Sequence, residues 1–400
     1  MVAYTFYETD SRVRRYAEAL VKRGDQVDAI VLRREGQGSF DIIRGVRVHR
    51  IQKRLIDETG PLSYLTKLLM FFLRSMWLLI LRTLRRRYDI IHVHSVPDFQ
   101  VFSTLIPRLL GSRVILDIHD IVPEFYASKF GVSERSLTFR LLLFIEKLSI
   151  AYSDHVIISN HLWRDKLIRR SVRSEKCTVI INYPDTSIFF RRPRTAAVNR
   201  NFVLCYPGTL NRHQGVDLAI AAVALLREKV PNIKLLVIGD GPDRGKLKTA
   251  VKEQNLEDYV SISGFVPIEQ VAESMANVDL GVVPKRKDSF GNQAFSTKIM
   301  EFMAMGVPVL ASKTCIDNYY FSDRLVQFFE PGNVCDLAAK IMQMIQDPDR
   351  CDGLRANAAK FIELNNWDVR RQEYLDLVDN LVHHAHPAPS ITSRHNTTEM

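Results

Sequence analysis

Apolar residues in the first half of the chain fall into short runs separated by longer stretches of helical spacing. MVAYTF, Gln26 to Leu32, DIIHVH (Asp89 to His94), RVILDIH (Arg113 to His119), His155 to Ser159 and Thr178 to Ile181 read as strands. The nearly continuous β-branched runs among them suit parallel strands buried on both faces. Arg12 to Arg23 places Val13, Tyr16, Ala17 and Leu20 on one helical face and stops at Gly24. Strands that alternate with helices predict an α/β fold with a doubly wound sheet. RRPRTAAVNRN (Arg191 to Asn201) is polar, lacks a period and reads as a linker. The alternation then resumes with NFVLCYPG, DLAIAAVALLREKV, KLLVIGDGP, YVSISGF, DLGVVP and VPVLAS, a second Rossmann-like half with its own core. The expected layout is a domain over 1–190, a linker over 191–201 and a domain over 202–365. A helix over 366–382 has the option of crossing back to the first domain. A His-, Pro-, Ser- and Thr-rich tail over 383–400 is expected to be disordered. Ligands of such sheets bind outside the carboxyl ends of the strands, and two halves can face each other across a cleft.

One segment departs from this alternation. Tyr64 to Arg87, YLTKLLMFFLRSMWLLILRTLRRR, is apolar over most of a helical circumference. At about 100° per residue, Lys67, Arg74, Ser75, Arg82, Arg85 and Arg86 share an arc of about 120°. These charges argue against a membrane-spanning helix. Two readings stay open: a core helix with one wet stripe, or an interfacial helix. In the second, Phe71, Trp77 and the basic residues Lys67, Arg74 and Arg82 meet an anionic membrane or a lipid-linked acceptor.

Composition narrows the class. Of 400 residues, 46% are apolar and 25% charged, as in soluble globular proteins. The net charge of +10 calls for an acidic partner. Nucleic acid is not expected, because no helix-turn-helix, RNA-recognition or zinc-finger spacing is present. Five scattered cysteines fit reduced thiols in a cytoplasm, and VAYTFYETD after Met1 lacks the features of a secretory leader. The expected location is therefore cytoplasmic, with peripheral contact to the inner face of the plasma membrane. FYETDSR after the first strand has no G-x-G-x-x-G, which argues against a dinucleotide enzyme.

The strongest chemical signal is KRKDSFGNQAFSTKIMEFMAMGVPVLAS, Lys285 to Ser312. A polar loop containing Gly291 runs into a helix with an apolar face of Ile299, Met300, Phe302 and Met303. Gly306 and Pro308 end that helix, and a buried strand follows. Ser296 and Thr297 are candidate N-caps, whose hydroxyls would accept from the first-turn amides. The helix start offers unpaired N–H groups and a positive dipole end to an anion, Lys298 adds a full charge, and Glu301 sets a carboxylate one turn on. Phosphates at the helix start and hydroxyls at the carboxylate describe a sugar nucleotide.

This segment resembles the donor-binding motif of the retaining glycosyltransferases of family 4, which have the GT-B fold of two Rossmann-like domains facing across a cleft. The resemblance extends over the chain to about Val382. In that family two glutamates lie eight positions apart, the second preceded by F-x-x-x-x-x. Phe295 and Glu301 match, whereas Gln293 stands at the first glutamate position. The resemblance implies that Glu301 takes the ribose hydroxyls and Gln293 orients sugar hydroxyls. It also places His119, after a buried strand, against the donor sugar, with Asp120 to accept a hydrogen bond from that imidazole or from an acceptor hydroxyl. His92 and His94 alternate with apolar residues along a strand and read as packing or loop-stabilising residues, with cleft contact as the alternative. The opening loop ETDSR lacks the glycines common in the family, so Arg12 is offered as a ligand contact, against a solvated helix turn capped by Asp10. In PGTLNRHQGVD, Gly208 and Gly215 bracket a loop where the family carries an early Arg or Lys and a Lys before the second glycine. Thr209 and Gln214 occupy those places here, leaving Arg212 as the diphosphate donor beside His213. Gly239 with Asp240 and Gly241 borders the nucleotide pocket, and the backbone around Val266 in GFVP meets the base. The implied activity is sugar transfer from a nucleotide donor, by front-face attack with retention, to a glycan or lipid-linked acceptor in bacterial-type surface polysaccharide or glycolipid assembly. No cofactor or metal is expected, since no Asp-x-Asp donor loop with a supporting ligand set appears. The alternative is a catalytically weakened or non-catalytic GT-B protein that acts as a binding or scaffold partner.

Overall fold

The computed structural model describes residues 1–54, 61–193 and 201–385. Most of the expected linker (194–200) and of the expected tail (386–400) lies outside the described residues. Residues 383–385 instead continue the final helix, Trp367–Ala385.

The first sheet contains β1 (Val2–Ala3), β2 (Asp28–Arg33), β3 (Phe40–Ile43), β4 (Val46–Lys53), β5 (Ile90–His94), β6 (Arg113–Ile118), β7 (His155–Ile158) and β8 (Cys177–Val179). Its order is β3-β4-β2-β1-β5-β6-β7-β8, parallel except where β3 pairs antiparallel with β4. That hairpin was not evident in the apolar pattern. Its two-residue turn, Arg44 and Gly45, has φ of 49° and 84°, a pair of positive angles that close a hairpin but that Arg does not advertise. The second sheet holds β9 (Phe202–Pro207), β10 (Ile233–Ile238), β11 (Val260–Ser263), β12 (Leu280–Val283), β13 (Val309–Ser312) and β14 (Gln327–Phe329). All its pairs are parallel, in the order β11-β10-β9-β12-β13-β14. The strand order reverses between β1 and β5 in one sheet and between β9 and β12 in the other, and crevices for ligands open beside such reversals.

The chain returns to the first domain at its end. Trp367 N donates to Pro184 O at 3.0 Å, the Tyr374 hydroxyl lies 3.0 Å from His92 Nδ1, and Arg23 pairs with Asp379 at 2.7 Å. Tyr16 stacks on Tyr374 with centroids 4.2 Å apart.

The helix Pro61–Arg85 overturns the core-helix reading. Leu68, Phe71, Ser75, Leu79 and Thr83 face the domain, so the buried side overlaps the arc that carries the polar residues. Ser75 Oγ accepts from Gln100 Nε2 at 2.6 Å, Arg74 reaches Ile51 O, and Arg82 lies by His49. The opposite side, with Leu69, Leu73, Trp77, Leu81 and Leu84, faces outward. Despite its charges, Ser63–Arg85 is long and apolar enough to cross a membrane by length and composition alone.

Candidate active site

The loop after β12 carries the sequence-predicted donor residues, and three anchors shape it. Asp288 Oδ1 accepts from Phe290 N at 3.1 Å and Gly291 N at 2.6 Å, which folds the loop on itself. Lys285 is 2% exposed; its Nζ donates to Ala294 O at 2.7 Å and lies 2.9 Å from Asp317 Oδ2. Asn292 adds a second tie to the helix Cys315–Tyr320, accepting from Cys315 N at its side chain and from Ile316 N at its carbonyl. Phe290 turns into the first domain, with its ring 5.2 Å from Phe125 and 5.6 Å from Trp163. Gln293 sits at the seam. Asn160 Nδ2, from the first domain, donates to its carbonyl at 3.2 Å, while its buried Oε1 has no partner. The sequence reading assigned no role to Lys285, Phe290 or Asp317; a lysine directly after the apolar GVVP run was the available signal.

The helix that follows spans Thr297–Ala304 and ends at Gly306, whose φ is 70°. Ser296 stands at the N-cap, but its hydroxyl makes no capping bond and is buried without a partner. Thr297 is the first helical residue and not a cap. Lys298 lies along the floor of the crevice. Its Nζ is 3.2 Å from Gln214 Oε1 and 5.4 Å from the centre of the Tyr206 ring. Gly208 has φ of 137°, and a Cβ there would run into the Lys298 side chain. Gly239 has φ of 148°, and a Cβ there would strike the Gly208 carbonyl. The two loops therefore close around Lys298 only with glycine at both places. Burial pushes the Lys298 ammonium down to about 8, with the Glu301 carboxylate opposing that shift. Burial raises the Glu301 carboxyl, opposed by Lys298.

In the first domain His119 follows β6 and is about a fifth exposed. Its Nε2 lies 3.3 Å from Asp117 Oδ2 and 3.1 Å from His94 Nδ1, and its carbonyl accepts from Ser159 Oγ at 2.9 Å. Ser159 precedes Asn160, so His119 and Gln293 border one seam. The imidazole therefore leans on Asp117, correcting the expectation of an Asp120 partner. Burial raises the Asp120 carboxyl. Arg12 is also corrected. It is 3% exposed and holds both Asp117 oxygens, at 2.7 and 2.8 Å, together with Ile180 O and Asn182 Oδ1, so it is a structural ion pair and not a ligand contact. The solvated-turn alternative fails as well, although Asp10 does cap that helix. Burial opposes the charge on Asp117, but the Arg12 guanidinium holds its carboxyl well below the usual range.

The remaining positions are looser. Arg212 is exposed on the turn after Gly208, and half-buried His213 has its ring 5.5 Å from that of Phe290. Val266 is half-buried after β11. Its neighbour Phe265 is exposed and meets Arg34 of the first domain at 5.4 Å. Lys67 and Arg82 are half-buried, and Trp77 is 64% exposed, all far along the sequence from these loops. Among the described residues, His92, His94 and Asp117 bring three ligand atoms within 4.8 Å of one another. Arg12 engages both carboxylate oxygens, and its charge opposes a second cation there.

The profile for glycosyl transferases group 1 matches residues 188–361, and that for a glycosyl transferase 4-like domain matches residues 9–182. The chain belongs to the group 1 glycosyltransferases. Among curated relatives, the amylovoran biosynthesis glycosyltransferase AmsK of Erwinia amylovora is 27% identical over 164 residues, 41% of this chain and 40% of that protein. The chain thus matches well under half of AmsK's length. The N-acetyl-alpha-D-glucosaminyl L-malate synthase of Bacillus anthracis is 23% identical over 302 residues, 72% of this chain and 74% of that one. Among solved structures, the sucrose-phosphate synthase of Thermosynechococcus elongatus superposes with a TM-score of 0.76 at 21% identity, covering 96% of this chain and 99% of that chain. Anabaena HepE in complex with UDP-glucose gives 0.69 at 17% identity, covering 95% and 98%. These likenesses show the GT-B fold, with its two parallel-sheet domains.

Proposed function

We propose that this glycosyltransferase moves a sugar from a nucleotide-sugar donor, with retention, to a glycan or lipid-linked acceptor. One observation carries the reading: Lys298 lies at the start of a helix, in a crevice at the β9/β12 reversal, against a glycine that admits no side chain. A diphosphate there would meet the helix-start amides, the Lys298 charge and Arg212 from the adjacent turn. Glu301, one turn on, suits the ribose hydroxyls. Gln293 carries an acceptor oxygen without a protein partner, which a sugar hydroxyl can satisfy. His119 borders the same seam. Basic groups and a helix end suffice to neutralise a diphosphate, so the reading needs no metal or cofactor. Support for the donor class comes from HepE, solved with UDP-glucose; support for the acceptor class comes from relatives in polysaccharide assembly such as AmsK. The place of work is the cytoplasm, which five free cysteines suit.

The test is calorimetry with a panel of nucleoside diphosphates, followed by mass spectrometry of consumed nucleotide sugars. One nucleotide should bind, and Glu301→Ala should abolish that binding. Unchanged affinity in Glu301→Ala would remove the site. Donor-dependent transfer or hydrolysis would exclude the scaffold alternative.

A further inference from the structure

The outward side of the helix Pro61–Arg85 does not stand alone. Phe72 of that helix packs on Phe99, and Tyr152 of the helix Leu137–Tyr152 packs on Phe102, with centroids 6.1 and 5.0 Å apart. Both contacts are on the turn Asp98–Thr104, which runs straight into the helix Leu105–Leu109. Three helices therefore form one layer over the first sheet. Each exposes large apolar side chains: Leu73 and Trp77 on the first, Leu109 on the short one, and Leu137, Leu141 and Phe144 on the third.

The exposed charges on the three helices themselves have one sign. Pro61–Arg85 and Leu105–Leu109 contain no Asp or Glu. The third helix has Glu146 alone, which is 1% exposed and bound by Arg170 Nε at 2.9 Å. The three helices carry seven basic residues, with Arg74, Arg85, Arg140 and Lys147 exposed among them, while at the margins Asp89 and Glu134 are exposed acids and Asp154 pairs with Arg108. A second copy of this chain would set like charges against one another. A face whose own helices expose apolar and basic side chains but no acid is instead complementary to an anionic bilayer.

The face also has a direction. The helix Pro61–Arg85 leads into β5, so its start lies at the carboxyl ends of the strands, where the crevice opens. Tyr64, near that start, stacks edge-on with Tyr4, just past the end of β1, at 6.2 Å. The apolar surface thus begins at the cleft rim and runs away from it.

We propose that these three helices form a docking face that lies on an anionic membrane and brings the cleft rim to the lipid surface. The consequence for the acceptor, that its lipid part stays in the bilayer while its head group enters at the Tyr4–Tyr64 rim, rests on the donor-site reading above.

The protein carries its own reporter. Of its three tryptophans, Trp163 and Trp367 are 2% and 6% exposed, and Trp77 is 64% exposed. Phosphatidylcholine vesicles containing phosphatidylglycerol should sediment the full chain at low salt and shift its tryptophan emission to the blue. Phosphatidylcholine alone, or high salt, should weaken this at least about tenfold. Trp77→Phe should still sediment but lose the shift. Trp77→Gln/Phe144→Gln should weaken partition by at least about tenfold while nucleotide affinity stays unchanged. Absence of sedimentation with anionic vesicles, equal partition onto neutral ones, or a solution dimer erased by the same double substitution would each overturn the proposal. A failure of nucleotide binding in the unaltered protein would instead sink the donor site and leave the docking face standing.

Discussion

Lys298 Nζ lies 3.2 Å from Gln214 Oε1, although the two residues stand 84 positions apart, one on the helix at the floor of the second domain's crevice and one on the loop beside it. The Tyr206 hydroxyl lies 3.0 Å from the same oxygen, so Gln214 is held as an acceptor between a phenol and an ammonium. The cation of this crevice thus rides on a helix, beside a neutral residue on the facing loop.

Lys298→Met should therefore lower nucleotide-diphosphate affinity about 10- to 100-fold, the value of one charge-assisted bond. The exchange Gln214→Lys/Lys298→Gln should recover most of the loss, since it returns a cation to the same few ångströms. Calorimetry on the three proteins decides it, and a double variant no better than Lys298→Met would mean that position on the helix matters beyond charge.

The same lysine predicts a pH limb. Its free-state value is about 8, and a bound diphosphate raises it by favouring the charged form. The protonated form binds, so affinity is full below pH 8 and falls as pH rises through it, with proton uptake on binding. Titrations from pH 6 to pH 10 should show this decline in the unaltered protein and a flat profile in Lys298→Met.

Gln293→Glu should raise or preserve turnover. The Gln293 carbonyl is held by Asn160 at 3.2 Å, so the side chain changes charge without moving its backbone. Sugar transfer measured at saturating donor should not fall; a drop of about tenfold would show that the neutral amide is required.

Lys285→Met should destabilise by about 3–5 kcal/mol, because it strands the buried Asp317 carboxylate. Lys285→Met/Asp317→Leu should regain much of that melting temperature, yet it frees Ala294 O and so loosens the Gln293 loop. The double variant is expected to keep donor KM near the original and to lose kcat. Equal loss of both parameters would reduce the lysine to a purely structural role.

Much of this was legible from residue order. The β-branched runs at Asp89–His94 and Arg113–His119 became central strands, since a strand buried on both faces has few alternatives to an apolar sequence. The loop, helix and strand from Lys285 to Ser312 formed where expected, because Gly306 and the apolar spacing are local signals. Arg12 and Ser296 were misread for a common reason. A guanidinium and a hydroxyl near a helix start carry the same local signature whether they meet solvent, ligand or protein. Only the arrival of Asp117, from 105 positions away, assigned Arg12. The Pro61–Arg85 helix shows the limit most plainly, since a helical wheel locates the apolar side but not which side the rest of the domain covers.

The sequence by itself determined two α/β halves, most of their strands and the helix that presents Lys298 and Glu301, because period, turns and helix stops are short-range properties of the chain. Tertiary structure alone decided that Lys298 faces Gln214, that Phe290 and Asn160 join the donor loop to the first domain, and that an apolar helix side faces out. Those outcomes depend on which distant surfaces meet, and no local spacing encodes that.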